Sequence, residues 1–259
     1  MLESIIDIVR RAGELVRSAN DVTAATHEKN GPADLVTEYD LAVQRFLRQE
    51  LLTLLPEADF FGEEGQHDAL TSPWTFIVDP IDGTTNFVSQ HRNYAVSVGC
   101  WRGEEPLFGL VLDVERPALY WAEAGSGAFR DGTPLHTSRR REVQELLMTV
   151  PGVPRTLLNP HPRQEGLLRL AREVRGVRSL GSVALELCAL AAGEADLFVT
   201  LRSCPWDHNA GRIILAEAGG SLCDLEGKFL PLDRRTPVLA ANAPETLRLV
   251  RERYLGAAE

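Results

Sequence analysis

The chain contains few cysteines, and their spacing argues against a framework of disulfides. Its 259 residues include only Cys100, Cys188, Cys204 and Cys223, and no two of these form a C-x-x-C pair. A domain that depends on disulfides for stability carries a denser set at this length. We therefore expect reduced, mostly buried thiols in a cytoplasmic protein.

Basic residues and long apolar runs are also scarce. The chain carries 27 Lys and Arg residues against 37 Asp and Glu residues, which gives a formal net charge of −10. A nucleic-acid surface needs a basic stripe, so we predict no nucleic-acid partner, whereas acidic residues can recruit cations. No apolar run approaches the length of a membrane span, and the amphipathic first residues, with Glu3, Asp7 and Glu14, are unlike a targeting peptide. We expect no membrane partner.

The hydrophobic pattern predicts a mixed fold with a large core. Hydrophobic residues make up 44% of the chain, and residues 2–19 show helical periodicity. Consecutive strands with short turns follow, which indicates antiparallel pairing, and strands then alternate with helices. We expect an α+β protein with an antiparallel sheet in its first half and a mixed sheet in its second. We treat residues 1–259 as one domain with packed halves of about 1–150 and 151–259.

The stretch from Asp79 to Phe87 carries the strongest chemical signal. It reads DPIDGTTNF and follows the apolar run from Trp74 to Val78, which has the pattern of a buried strand. Pro80 lacks a backbone donor, so we predict that the strand ends at Asp79. Asp82 and Gly83 predict a turn whose following N–H groups and hydroxyls can bind a tetrahedral anion. For an Asp-Gly pair alone, the alternative is a hairpin turn.

Carboxylates beside an anion-binding turn would repel the anion unless hard divalent cations lay between them, and such a donor set indicates Mg²⁺. Other acids need an explanation too. Asp40 lies beside the apolar stripe of a predicted helix, where it is either a ligand or a rim carboxylate that pairs with Arg45 or a loop. Glu63 and Glu64 could form a solvated turn, and Asp207 could be a helix N-cap.

Together, three segments resemble the inositol monophosphatase family, which lies within the lithium-sensitive, magnesium-dependent phosphatase superfamily. They are Gly62-Glu63-Glu64, the stretch from Asp79 to Phe87, and Trp206-Asp207 followed by Glu217-Ala218-Gly219-Gly220. Lys29, residues 34–37 and Asp40 resemble the first conserved block of that family, so the resemblance covers essentially the whole chain. It implies a layered αβαβα fold, a homodimer and inhibition by lithium.

The resemblance also implies roles for individual residues. Asp40 and Thr84 would align the attacking water, and Glu63 would hold the ion that activates it. Two or more Mg²⁺ ions would be bound by Glu63, Asp79, Asp82, Asp207 and the backbone carbonyl of Ile81. The phosphate and the rest of the substrate would contact Asp82, Gly83, Thr84, Val183, Thr200, Arg202 and Asp207.

The predicted function is that of a phosphoric monoester hydrolase. We expect Mg²⁺-dependent hydrolysis of a small phosphate monoester, inositol monophosphate or a related sugar or polyol phosphate, without a phospho-enzyme. Within the enzyme class the alternatives are a fructose 1,6-bisphosphatase and a 3′-phosphoadenosine 5′-phosphate phosphatase. An alternative of another class is a non-catalytic protein that uses the same fold for protein interaction.

Two positions depart from the family pattern. Asn209 stands where a small residue is usual, and Thr200 stands where inositol-specific members carry a glutamate that binds sugar hydroxyls. A single hydroxyl should select less strongly for inositol than a carboxylate does. Arg202 would favour a second anionic group on the substrate if the strand alternates without a bulge. Otherwise it would point to solvent or across a subunit contact.

Overall fold

A computed structural model describes residues 1–20, 22, 25–28, 35–65 and 68–256 of the chain. Lys29 and Asp34, which belong to the predicted first block, lie outside these described residues. Within them, no helix combines the length and the apolar character that crossing a membrane requires. All four cysteines are buried, as expected.

Helices occur at both ends of the chain and throughout its second half. They are α1 (Leu2–Arg17), α2 (Glu38–Leu54), α3 (Thr84–Ser89), α4 (Val153–Thr156), α5 (Gln164–Glu173), α6 (Val183–Ala191), α7 (Pro205–Glu217) and α8 (Pro244–Tyr254), with a 3₁₀ turn at Val143–Glu145.

The first half forms a short ribbon and a large sheet. The ribbon pairs β1 (Thr26–Glu28) with β2 (Leu35–Thr37). The large sheet contains, in spatial order, β3 (Asp59–Gly62), β4 (Trp74–Asp82), β5 (Ala95–Arg102), β6 (Glu105–Asp113), β7 (Ala118–Glu123), β8 (Gly127–Arg130) and β9 (Thr133–Pro134). Strands β3 and β4 are parallel. Every later pair in this sheet is antiparallel, which confirms the prediction for the β-rich middle.

The second half forms a five-stranded mixed sheet, also as predicted. Its strands are β10 (Leu147–Thr149), β11 (Gly176–Arg178), β12 (Leu197–Ser203), β13 (Ser221–Cys223) and β14 (Thr236–Ala241). Their spatial order is β11-β10-β12-β14-β13. The pairs that include β10 are parallel, whereas β14 pairs antiparallel with both β12 and β13.

The elements stack as alternating layers of helix and sheet. Helices α1 and α2 pack on one face of the seven-stranded sheet, with Ile5, Val9 and Leu47 in the shared core. Helices α6 and α7 lie between the two sheets. Helices α5 and α8 cover the other face of the five-stranded sheet. The predicted αβαβα sandwich is therefore confirmed.

Glycines let α7 approach the large sheet closely. A Cβ atom on Gly109 of β6 would lie 2.4 Å from the carbonyl oxygen of Ala210, and one on Gly99 of β5 would lie 3.3 Å from the Ala210 nitrogen. Any larger side chain at Gly109 would push the helix away. This contact fixes the depth of α7, and therefore the position of Asp207 in its first turn.

One local prediction was wrong, and one local alternative does not hold. Strand β4 does not end at Asp79 but continues to Asp82, with a shift of register between the pairs Asp79–Ser97 and Asp82–Ala95. Pro80 lies in this irregularity, where a missing backbone donor is tolerated. Asp207 is not the N-cap of α7, because the helix begins two residues earlier and Cys204 takes that position.

Candidate active site

The predicted acidic residues come from four separate elements. Asp79 and Asp82 lie at the C-terminal end of β4, and Glu63 directly follows the parallel strand β3. Asp40 lies in the first turn of α2, and Asp207 lies in the first turn of α7.

Asp40 is completely buried and is held by hydroxyl groups on both sides. Its Oδ2 accepts hydrogen bonds from the backbone N–H and the hydroxyl of Thr37, at 2.7 Å and 2.5 Å, which completes a capping box at the start of α2. Its Oδ1 lies 3.3 Å from the hydroxyl of Thr84, which also lies 3.1 Å from the carbonyl oxygen of Ile81. The structure thus brings the predicted Asp40–Thr84 pair together, deep in the protein rather than at its rim.

The turn that carries Glu63 is held by α2. The amide group of Gln44 accepts a hydrogen bond from the backbone N–H of Glu64, at 2.8 Å, and donates one to the carbonyl oxygen of Glu64. Glu64 is buried, while Glu63 is half-buried and donates its backbone N–H to Val78 of β4. The two glutamates therefore do not form a solvated turn.

Asp82 is bound by the second half of the chain. Its Oδ2 accepts hydrogen bonds from the hydroxyl of Ser182 and from the backbone N–H of Ala184, both at 2.6 Å. Burial raises the pKa of Asp82 to about 6, although these hydrogen bonds oppose the shift. Ser182 is also the N-cap of α6, because its hydroxyl accepts from the backbone N–H of Leu185.

Asp207 is bound by the loop that precedes its own helix. Its Oδ2 accepts from the backbone N–H of Cys204, at 2.7 Å, and from the hydroxyl of Ser203, at 3.2 Å. The Ser203 oxygen also lies 2.9 Å from Nδ1 of His208, which is fully buried. Burial lowers the pKa of His208 to about 3, so this imidazole is neutral at physiological pH.

Neighbouring carboxylates raise the pKa values of two acids in the site. Burial, followed by the charges of Glu63, Asp82 and Asp207, raises the pKa of Asp79 well above its usual range. Burial and the charges of Asp82 and Glu63 raise the pKa of Asp207 in the same direction. Asp79 and Asp207 are thus buried acids whose charged forms are destabilised by neighbouring carboxylates, and a divalent cation would lower the free energy of such a site.

The donor set therefore fits Mg²⁺ in its chemistry, as it consists of carboxylate oxygens and one backbone carbonyl. In the part of the chain that the structure describes, no three His, Cys, Asp or Glu side chains close around a point as a finished metal site does.

The predicted anion-binding turn begins a helix and is not a hairpin. Gly83 is the N-cap of α3 and has a φ of 94°, a left-handed conformation that glycine adopts without strain. The backbone N–H groups of Asn86 and Phe87 donate to the carbonyl of Gly83. The N–H groups of Thr84 and Thr85 belong to the first turn, which has no intrahelical acceptor for them, so they are directed outward.

The substrate-side predictions have mixed surroundings. Val183 is buried at the first position of α6, next to Ser182. Thr200 is buried, and its hydroxyl donates to the carbonyl oxygen of Arg202. Arg202 is exposed, and the pairing register of β12 shifts between Thr200 and Ser203. Simple alternation therefore does not carry Arg202 to the side of Thr200.

Asn209, the other departure from the family pattern, is accommodated within α7. It is fully buried, and its amide nitrogen donates to the carbonyl oxygen of Pro205 at 2.9 Å. The start of the helix is regular despite the larger side chain.

Several residues that hold the site were not predicted as part of it. Thr37 could have been recognised, because it stands three residues before Asp40 in a capping-box pattern. The hydrogen bonds that Gln44, Ser182 and Ser203 make to the site carry no such signal, since their partners lie on other elements or depend on where a strand ends.

Comparisons with known proteins agree with this geometry. The sequence matches the model of the Inositol monophosphatase family over residues 1–255. The inositol-1-monophosphatase of Bacillus subtilis is 36% identical, and the alignment covers 96% of this chain and 94% of that protein.

Solved structures of the staphylococcal protein SaIMPase-II are also similar. The structure with inositol monophosphate bound superposes with a TM-score of 0.85 at 28% identity, over 98% of this chain and 93% of that one. The structure with 2′AMP bound has a TM-score of 0.85 at 29% identity, over 97% and 92% of the two chains. The chain therefore belongs to the inositol monophosphatase family and is a phosphoric monoester hydrolase.

Proposed function

We propose that this protein hydrolyses small phosphate monoesters, inositol monophosphate or a related sugar or polyol phosphate, in a reaction that depends on Mg²⁺. The observation that carries the proposal is that the charges of Glu63 and Asp82 destabilise the buried carboxylates of Asp79 and Asp207, beside the helix start at Gly83. Cations bound between these acids and the phosphate would remove the repulsion and bind the anion at the same time.

The residues that would hold Mg²⁺ are Glu63, Asp79, Asp82, Asp207 and the carbonyl oxygen of Ile81. When bound, Mg²⁺ neutralises charge on the phosphate and makes water more acidic. Both effects are needed because phosphate monoesters are among the slowest substrates to hydrolyse unaided, with required enhancements of up to ~10²¹.

Asp40 and Thr84 orient the attacking water in this proposal. The Thr84 hydroxyl has one proton, and both nearby acceptors, Asp40 Oδ1 and the Ile81 carbonyl oxygen, compete for it. Because this proton is used in donating to one of these groups, the lone pairs of the oxygen can accept a hydrogen bond from water. The N–H groups of Gly83 and Thr84 hold the phosphate for in-line attack, without a phospho-enzyme.

Substrate choice is broader than inositol 1-phosphate in our proposal. Thr200 supplies one hydroxyl, and that hydroxyl already donates to the backbone of its own strand. The same related protein, SaIMPase-II, has been crystallised with inositol monophosphate and with 2′AMP, which differ greatly in the alcohol that carries the phosphate. A family site can therefore accept quite different leaving groups.

Further properties implied by the family belong to the same proposal. We propose a homodimer that lithium inhibits, with residues 1–259 acting as one domain of two packed halves. The four buried cysteines favour the reducing cytoplasm as its location.

Removal of divalent cations should abolish activity. We expect phosphate release from inositol 1-phosphate to fall to background in EDTA and to return with excess Mg²⁺, but not with NaCl of equal ionic strength. Asp82→Asn should be inactive yet folded by circular dichroism, whereas the exposed Asp233→Asn should match the wild type. Full activity in EDTA would contradict the proposed metal dependence.

The hydroxyl of Thr84 should be essential for turnover. Thr84→Val keeps the shape of the side chain but removes the group that contacts Asp40, so we expect kcat to fall by roughly 100-fold or more with little change in KM. Thr84→Ser restores the hydroxyl and should recover most of the rate. Wild-type kcat in Thr84→Val would remove this residue from the mechanism.

Relaxed selectivity can be measured on a panel of phosphate esters. We expect kcat/KM for inositol 1-phosphate to lie within roughly 100-fold of that for glycerol 2-phosphate. The reason is that Thr200 offers one hydroxyl at the position where inositol-specific family members have a carboxylate. Arg202→Ala should leave the ranking of mono- and bis-anionic substrates unchanged, because Arg202 is exposed and the register shift in β12 breaks the alternation that would carry it to the side of Thr200. A selective loss of kcat/KM for fructose 1,6-bisphosphate in Arg202→Ala would instead place this arginine in the pocket.

A further inference from the structure

Glu186 is a buried acid for which the proposed chemistry has no direct use. It lies in the first turn of α6, among apolar residues of the same helix, and is fully buried. Burial raises its pKa to about 7. A carboxyl in such a place costs stability unless it makes hydrogen bonds that an apolar side chain could not make.

Two hydrogen bonds of Glu186 hold one short turn. Its Oε1 accepts from the backbone N–H groups of Leu180, at 2.7 Å, and Gly181, at 3.3 Å. These two residues precede Ser182, the N-cap of α6, so the carboxyl reaches back from the first turn of the helix to the chain that enters it. We call residues 180–182 the entry turn.

The entry turn lies directly against the candidate active site. Ser182 donates its hydroxyl to Asp82. Asn86 of α3 donates to the carbonyl oxygen of Leu180, at 2.6 Å. A Cβ atom on Gly83 would lie 3.3 Å from the carbonyl oxygen of Gly181, so the turn also touches the predicted anion-binding backbone.

Packing alone does not hold this turn. Leu180 lines a cavity of about 170 Å³ together with Thr149 and Leu185, so part of its side chain is not packed against other residues. Gly181 has a left-handed φ of 80°. Glycine can adopt many other backbone conformations, so this one would be lost easily if the present contacts of the turn were removed. The fixed conformation therefore depends on hydrogen bonds to the backbone, two of which come from Glu186.

We propose that Glu186 is a positioning residue, which fixes the entry turn so that Ser182 and Ala184 orient the carboxylate of Asp82 for metal binding. The inference rests on the proposed function, because it assigns Asp82 to the metal site. It goes beyond that function because the residues that would orient the Asp82 carboxylate lie about a hundred positions later in the sequence, in the second half of the chain. Groups that orient a metal ligand typically change metal affinity by roughly 10–100-fold when they are removed.

The test compares three variants of the full chain. Glu186→Leu removes the acceptor and keeps the bulk, and Glu186→Gln restores an acceptor oxygen of the same reach. Glu217→Leu is the matched control, because the carboxylate of Glu217 likewise accepts two backbone N–H groups, those of Gly125 and Gly127, both at 2.9 Å, on a turn remote from Asp82.

The first readout is amide hydrogen exchange of residues 180–184 in EDTA, which needs neither metal nor substrate. We expect roughly tenfold or faster exchange in Glu186→Leu, near wild-type protection in Glu186→Gln, and no change in this segment for Glu217→Leu. Unchanged protection in Glu186→Leu would overturn the inference, whatever the enzyme does.

The second readout is the dissociation constant for Mg²⁺, measured by calorimetry. We expect it to rise at least roughly tenfold in Glu186→Leu, with Glu186→Gln and Glu217→Leu within about twofold of the wild type. Equal constants for Glu186→Leu and Glu217→Leu would overturn the link to Asp82. If even the wild type binds no Mg²⁺, the proposed function fails, and the exchange measurement still decides whether Glu186 holds the turn.

Discussion

The fold keeps several negative charges close together inside the protein. Asp79 and Asp207 have raised pKa values because burial and the neighbouring carboxylates both disfavour their ionised forms. A charged group that is neither solvated nor paired is among the most destabilising features a fold can contain. Such an arrangement persists only if the surrounding structure holds each carboxylate firmly, and if a ligand relieves the repulsion in the working state.

The scaffold holds each carboxylate by hydrogen bonds from a different element. Thr37 binds Asp40 at the start of α2, Ser182 and Ala184 bind Asp82 from α6, and Cys204 binds Asp207 at the start of α7. Most of these groups are at helix starts, where backbone N–H groups lack intrahelical partners and favour negative charge. The layered packing brings these helix starts close to the C-terminal end of β4 in the large sheet.

Much of this could be predicted from sequence because the relevant signals are local. The helical periodicity of α1 and the consecutive strands of the middle third depend on residue order alone, and the DPIDGTTNF stretch places two acids and an anion-binding turn within nine residues. The capping box at Thr37 and the N-cap at Ser182 are also local patterns.

The remaining features depend on contacts between distant parts of the chain. Pro80 predicts the end of a strand, but the neighbouring strand β5 continues to pair beyond it through a shift of register. The hydrogen bonds to Asp82 span about a hundred residues. The direction of the Thr200 hydroxyl follows from an irregularity in β12 that no residue type indicates.

Thermal unfolding with and without Mg²⁺, on the wild type and Asp79→Asn, tests most directly whether these acids form a cation site. In EDTA the variant should unfold at the same or a higher temperature, because it loses a buried, repelled charge and keeps an oxygen to accept from Ile81. Mg²⁺ should stabilise the wild type by about 2.7 kcal/mol at a concentration of about 100 times its dissociation constant, and the variant by much less. A wild-type unfolding temperature that responds equally to Mg²⁺ and to NaCl of the same ionic strength would contradict the account.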